Sequence, residues 1–207
     1  MLVTGFEPFG EDRANPSSDA VRNLASKWQG TDTLVTEILP VAFDHGARRM
    51  RDLIAKHRPD LVLAVGLAGG RNAISIERVA VNLVDARIPD NAGAQPIDVP
   101  SVDGAPPAYF TTLPVKAITA AINDAGISTE ISYTAGTFVC NHVFFTALDA
   151  VEARARVGFI HVPWADGQAP ADQATMPIDD IVEALDIAIS TALRRTDDLA
   201  EAGGTLY

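Results

Sequence analysis

The run Leu61-Val-Leu-Ala-Val65 is apolar at every position and ends at once in Gly66-Leu-Ala-Gly-Gly70. A strand of that composition is buried on both faces, so it needs helices packed against a largely parallel sheet. The flanking sequence supplies both. Leu2-Val3-Thr4, Leu34 to Leu39, Thr129 to Tyr133 and Val157 to His161 read as further strands. Between them lie helical patterns. One begins at Asn15-Pro16-Ser17-Ser18, which carries helix-start chemistry, and runs to about Trp28. Others cover Asp44 to His57 (stopped before Pro59), Pro114 to Ala125, the segment holding Cys140, and Pro177 to Arg195. This alternation defines an α/β fold. Ile74 to Val84 reads as one extended segment. Asp85 to Pro107, rich in Pro, Asp and Gly, reads as a long irregular loop of the kind that serves function. A single domain is expected over residues 1–195, with a frayed tail over 196–207.

Of 207 residues, 47% are hydrophobic, enough for one sizeable core. No apolar run approaches the ~20 residues that cross a bilayer, and Met1 to Gly5 lacks the pattern of a secretory signal. No membrane partner is therefore expected, and one cysteine without a leader points to a reducing cytoplasm. The net charge of −11 argues against nucleic acid as a partner, because phosphate neutralisation needs clustered Lys and Arg. Arg48-Arg49 and Arg194-Arg195 read as solvated helix faces. No Cys/His cluster has metal-ligand spacing, so no metal is expected.

The loop bearing Phe6 and Phe9, the Gly66 to Gly70 loop, Cys140 and His161 all fall at or just past strand C-terminal ends. In open α/β sheets ligands bind along that edge. Cys140 is the only cysteine, and is either a packed hydrophobe or a reactive group. At a helix start, the peptide dipoles should pull its pKa below the free value of roughly 8.5. A thiol nucleophile needs a base. His45 and His57 flank a surface helix, and His142 turns away from Cys140 at roughly 100° per residue. His161, at a strand end, projects at the ligand edge.

Glu77 shares the parity of Val79, Val81 and Leu83, which places it on an apolar face, where its charge needs a partner. It reads either as the group that orients His161 or as half of a buried salt bridge. Arg87 could donate to an oxyanion or pin its own loop. The glycine-rich loop matches neither the dinucleotide nor the P-loop pattern, and reads as backbone brought close to a ligand.

In order and spacing, seven blocks resemble the pyroglutamyl peptidase type I (pyrrolidone-carboxylate peptidase) family. They are Gly5-Phe-Glu-Pro-Phe-Gly10, Asn15-Pro16-Ser17, Gly66 to Arg71, Glu77-Arg-Val-Ala80, Asp85 to Asn91, Gly136-Thr-Phe-Val-Cys-Asn141 and Phe159-Ile-His-Val-Pro163. The resemblance implies a single-domain three-layer α/β/α sandwich with a mixed, largely parallel central sheet. It also implies a cysteine exopeptidase that removes N-terminal pyroglutamate from peptides through a thioester, without a cofactor. On it, Cys140 is the nucleophile, His161 the general base and Glu77 the base's orienting partner. Arg87 supports the oxyanion, Phe6 and Phe9 sandwich the flat lactam, backbone around Leu67 hydrogen-bonds it, and Asn15 holds the loops. A homotetramer is implied as well.

The chain departs from the family pattern in three places: Leu67 stands where Gln is usual, Glu11 where a second Gly is usual, and the first strand is shorter. Two other readings of the residues stand beside this one. One is a phosphate-dependent transferase using Arg71 and Arg87. The other is a non-catalytic lactam-binding module in which Cys140 is merely packed.

Overall fold

Leu61, Leu63 and Val65 belong to one hydrophobic core and Val62 and Ala64 to another, so this strand separates two apolar layers. The computed structural model describes residues 1–151 and 154–204. In chain order the elements of the central sheet and its cover are β1 (Leu2–Phe6), α1 (Pro16–Lys27), β2 (Val35–Leu39), α2 (Phe43–His57), β3 (Leu61–Leu67) and β4 (Ile74–Glu77). A short ribbon, β5 (Val79–Val81) and β6 (Ala108–Phe110), precedes α3 (Val115–Asp124), β7 (Thr129–Ser132), α4 (Val139–Ala150) and β8 (Arg156–Val162). A pair of two-residue strands, β9 (Trp164–Ala165) and β10 (Thr175–Met176), leads to α5 (Ile178–Arg194).

The six-stranded sheet has the order β2-β1-β3-β8-β4-β7. Neighbours are parallel except β4 against β8, so the sheet is mixed and largely parallel. Side chains of α1, α3 and α5 join the core on one face; those of α2 and α4 join the other. This is the three-layer sandwich. Alternation repeats on β8, where Ile160 and Val162 face the first layer and Val157 and Phe159 the second. Each such side chain contributes about 1.5–3 kcal/mol by leaving water.

The segment expected as one extended stretch from Ile74 to Val84 is two strands in two sheets, broken at Arg78. Glu77 is buried, but not in the company its parity suggested. Beyond the break Ala80 is buried, Val79 and Val81 are half-buried and Leu83 is exposed. Strands β6, β9 and β10 are too short to leave a periodic signal.

The segment 82–107 has no regular element, yet it is closely held. Val84 and Val99 exchange backbone hydrogen bonds, and the Asn82 amide reaches Val102 and Ala105. The buried Asp90 carboxylate accepts from the amides of Ala92 and Ala94 and from Phe43 at the start of α2. Because Ala42 brings no side-chain cap, Asp90 satisfies that helix end from across the sequence. Within the C-terminal segment, the Asp198 carboxylate accepts from the first amides of α3, at Lys116 and Ala117. The last three residues of that segment lie outside the described residues.

Candidate active site

Glu77 ends β4 and His161 lies near the end of β8. Antiparallel register sets Ser75 opposite His161 and Glu77 opposite Phe159, so Glu77 and His161 are diagonal neighbours on one face. Glu77 is fully buried (0% exposed) and its Oε1 lies 2.7 Å from His161 Nδ1. With Nδ1–H donated to the carboxylate, the neutral ring keeps its lone pair at Nε2. Arg71 closes the cluster. Its Nη1 donates to the same Oε1 at 2.9 Å and its Nη2 to the Thr134 carbonyl at 3.3 Å.

Cys140 is the second residue of α4, a helix whose N-terminus has no side-chain cap. It is half-buried, and its Sγ rests over Gly66, the residue paired with His161 across β3 and β8. A β-carbon on Gly66 would fall 2.9 Å from that sulfur and 2.8 Å from the Phe159 ring, so only glycine admits the thiol here. No hydrogen bond joins Cys140 to His161 among the described residues. Burial, and then the Glu77 carboxylate, push the thiol up to about 12, with Arg71 pulling the other way. This direction is opposite to the lowering expected from the helix start, because packing over Gly66 and against the Phe159 ring desolvates the thiolate.

His142 is pushed down to about 4 by burial and then by Arg51, and its ring packs 5.9 Å from that of Phe43. It does not line the cavity beside Cys140.

That cavity measures about 270 Å³ and is walled by Phe6, Phe9, Val41, Leu67, Phe138, Val139 and Trp164, with Asp12, Asn15, Gly69 and Cys140. Phe6 stands 6.4 Å from Phe159. Phe9 meets Phe138 edge-on at 5.4 Å, and Phe138 meets Phe43 likewise at 5.1 Å. Asn15 is the N-cap of α1. Its Oδ1 accepts from Ser17 N at 3.1 Å and Ser17 Oγ at 2.8 Å, and its Nδ2 donates to the Glu7 carbonyl at 2.9 Å. One amide thereby fixes the Phe6 to Phe9 loop against the helix. A larger groove of about 500 Å³ between the end of α1 and α5 is lined by Ser190, Lys27 and the carboxylates of Asp179, Glu183 and Asp186, and by no histidine or cysteine.

The structure thus brings together Cys140, His161, Glu77, Phe6, Phe9, Asn15 and Leu67. It does not bring in Arg87, whose side chain is exposed and off the cavity wall; among the described residues only its backbone carbonyl is engaged, by Gln95. Arg71, weighed as a phosphate ligand, is committed to Glu77 instead. Phe138 and Trp164 were missed, though each lies within three residues of a singled-out site residue. Val41 and Asp12 left no signal. Among the described residues no group of three or more His, Cys, Asp or Glu could hold a metal ion, and no helix is long and apolar enough to cross a membrane.

The family model described as pyroglutamyl peptidase matches residues 1–195. Pyrrolidone-carboxylate peptidase 1 of Ralstonia nicotianae is 49% identical, covering 100% of this chain and 99% of that protein. The Bacillus amyloliquefaciens pyrrolidone-carboxylate peptidase is 44% identical over 100% of this chain and 98% of its own. Among solved structures, pyroglutamyl peptidase I from Bacillus amyloliquefaciens superposes with a TM-score of 0.93 at 43% identity, covering 97% of this chain and 98% of that one. The pyrrolidone carboxyl peptidase of Thermococcus litoralis does so with a TM-score of 0.91 at 36% identity, again over 97% and 98%. The transferase and the binding module are not favoured by these likenesses. With sequence, fold and family model agreeing over nearly the whole chain, it belongs to the pyroglutamyl peptidase family, and is a cysteine-type hydrolase that removes pyroglutamyl residues.

Proposed function

We propose that Cys140, His161 and Glu77 carry the hydrolysis of N-terminal pyroglutamyl peptides, with no cofactor. The observation that supports this most is the buried Glu77–His161 contact one strand away from the glycine on which the thiol rests. A lactam is flat and neutral, and suits a cavity with aromatic walls. Phe6 and Phe9 hold its faces and backbone at Leu67 bonds its edge, while Asn15 keeps the aromatic loop in place.

A thiol held near 12 is almost wholly protonated at neutral pH. Nucleophile formation therefore accompanies transfer of its proton to His161 Nε2, and Glu77 compensates the imidazolium that results. The contact between sulfur and ring tightens as substrate fills the cavity and expels water. Attack on the pyroglutamyl carbonyl yields an oxyanion. The amides at the start of α4, which no side chain caps among the described residues, can donate to it. Arg87 joins them only if substrate draws its loop inward. His161 then protonates the leaving amine, and water hydrolyses the thioester with His161 again as base.

The direct test is release of amine from a pyroglutamyl-amide reporter. Cys140→Ala is expected to lose on the order of 10³-fold or more in kcat. Full activity in that variant would sink the assignment.

We also infer a homotetramer working in a reducing cytoplasm, with no nucleic acid partner. The family resemblance supports the first; the single cysteine and the net charge of −11 support the others. Exposed Ile88, Ile97, Val99 and Phe110 are apolar surface that an assembly would cover. Light scattering on the eluting species tests the assembly.

A further inference from the structure

Glu77 is fully enclosed, and a buried carboxylate is costly unless a positive group pairs with it. The group that does so here is Arg71. Its guanidinium sits at the partly exposed rim, shares Oε1 of Glu77 with the imidazole, and lies outside the wall of the substrate cavity. Its second nitrogen holds the Thr134 carbonyl, six residues ahead of Cys140, in the turn that delivers the nucleophile to α4. That turn is further fixed where the Gly136 amide donates to Thr134 Oγ1. One planar fork therefore ties the orienting acid to the loop that carries the thiol. An ammonium, being a point charge, matches that geometry poorly.

We propose that Arg71 is a positioning residue for the reaction assigned above. It pairs with the Glu77 carboxylate and keeps it aimed at His161 while anchoring the turn that leads into Cys140. The proposal rests on His161 acting as the base. The other ionisable groups on the packed elements are Cys140, His142 and Asp149 on α4, Glu130 on β7, Arg156 on β8, Lys116 and Asp124 on α3, and Arg78 just past β4. Glu130 accepts a hydrogen bond from Ser75, opposite His161, and Arg78 lies over the Tyr133 ring. None of them shares a hydrogen bond with Glu77 among the described residues.

Removing one positive charge makes every group of the cluster hold its proton more tightly. Arg71→Met should therefore move the acid limb of kcat/KM upward by about 1 pH unit and lower kcat more than it raises KM. Arg71→Lys keeps the charge and loses the fork. Its limb should stay in place while kcat falls about 3- to 10-fold. The rate of Cys140 alkylation by iodoacetamide, followed against pH, reads the same cluster without substrate, and should slow at neutral pH in Arg71→Met. In a Glu77→Gln background, removing Arg71 should cost less than about 3-fold further, because the partner it serves is already neutral.

The proposal falls if the limb is unmoved in Arg71→Met, if the Lys and Met variants behave alike, or if the double variant is additive. Should Arg71→Met fail to fold, Glu77→Gln and Arg71→Met/Glu77→Gln, which leave no uncompensated buried carboxylate, decide: a further loss above about 3-fold between them overturns the proposal. A wild-type protein that ignores the pyroglutamyl reporter would overturn the assigned function alone; the alkylation profiles would still judge Arg71.

Discussion

Replacing Glu77 with Gln separates charge from shape at this site. Oε1 of Glu77 accepts from both His161 and Arg71, whereas Oε2 has no hydrogen-bond partner among the described residues. Glutamine can keep its oxygen on the two donors, and its NH2 then takes the place of Oε2, where the described residues offer no acceptor. The negative charge goes, at the cost of one unpartnered buried donor. That charge matters when His161 becomes imidazolium. Two unit charges about 4 Å apart at an effective dielectric near 20 attract by about 4 kcal/mol. The amide dipole returns part of this, which leaves an expected loss of about 10²- to 10³-fold in kcat/KM, at roughly 1.4 kcal/mol per decade. His161→Ala, which removes the proton acceptor itself, should cost more. Steady-state rates on a pyroglutamyl-amide reporter, with a thermal melt to show both variants folded, check the order. A Gln variant within 3-fold of wild type, or one worse than His161→Ala, refutes the role given to Glu77.

Gly66→Ala should abolish most activity and cost about 1–3 kcal/mol by urea titration, because its methyl would press on both Cys140 Sγ and the Phe159 ring. Wild-type turnover would mean that the thiol sits elsewhere in solution. Phe9→Ala removes one aromatic wall and should raise KM more than it lowers kcat; a pure kcat effect would count against lactam clamping. His142, held near 4 against 6.5 in the unfolded chain, favours the neutral folded state. Its contribution is present above about pH 6.5 and is lost as pH falls toward 4, by on the order of 2–3 kcal/mol once partial exposure is allowed for. His142→Phe should flatten that stretch of the stability curve, and an unchanged slope would show that other groups set it.

How much of this was legible depended on whether a signal was local. Buried strands such as Leu61 to Val65 announce themselves by composition, and Pro59 and Pro114 mark helix limits, so the layers could be read directly. Cys140 and His161 were visible because unusual residues fell at element ends, whereas Glu77 was singled out by a parity that β5 does not keep and by resemblance. What was not legible arises from pairing. The break at Arg78 shows only once β4 and β5 enter different sheets. The ion pair of Arg71 with Glu77 depends on how the loop after β3 is led back to the sheet. The thiol's raised pKa is a property of what packs around it, while the sequence offers only the dipole of its helix. Arg87 was placed by resemblance, and a loop residue keeps its neighbours in sequence more faithfully than its neighbours in space.

Strands β3 and β4 follow one another in the chain, yet β8 lies between them in the sheet. A growing chain that has not yet reached Arg156 therefore holds two strand edges apart with nothing to bridge them. Insertion of β8 closes that gap, and the same event carries His161 to Glu77 and sets it beside the residue under Cys140. The long sequence separation of these pairings makes the step slow relative to helix formation. Refolding followed by circular dichroism should recover helix first and peptidase activity last, with the two phases separated in time.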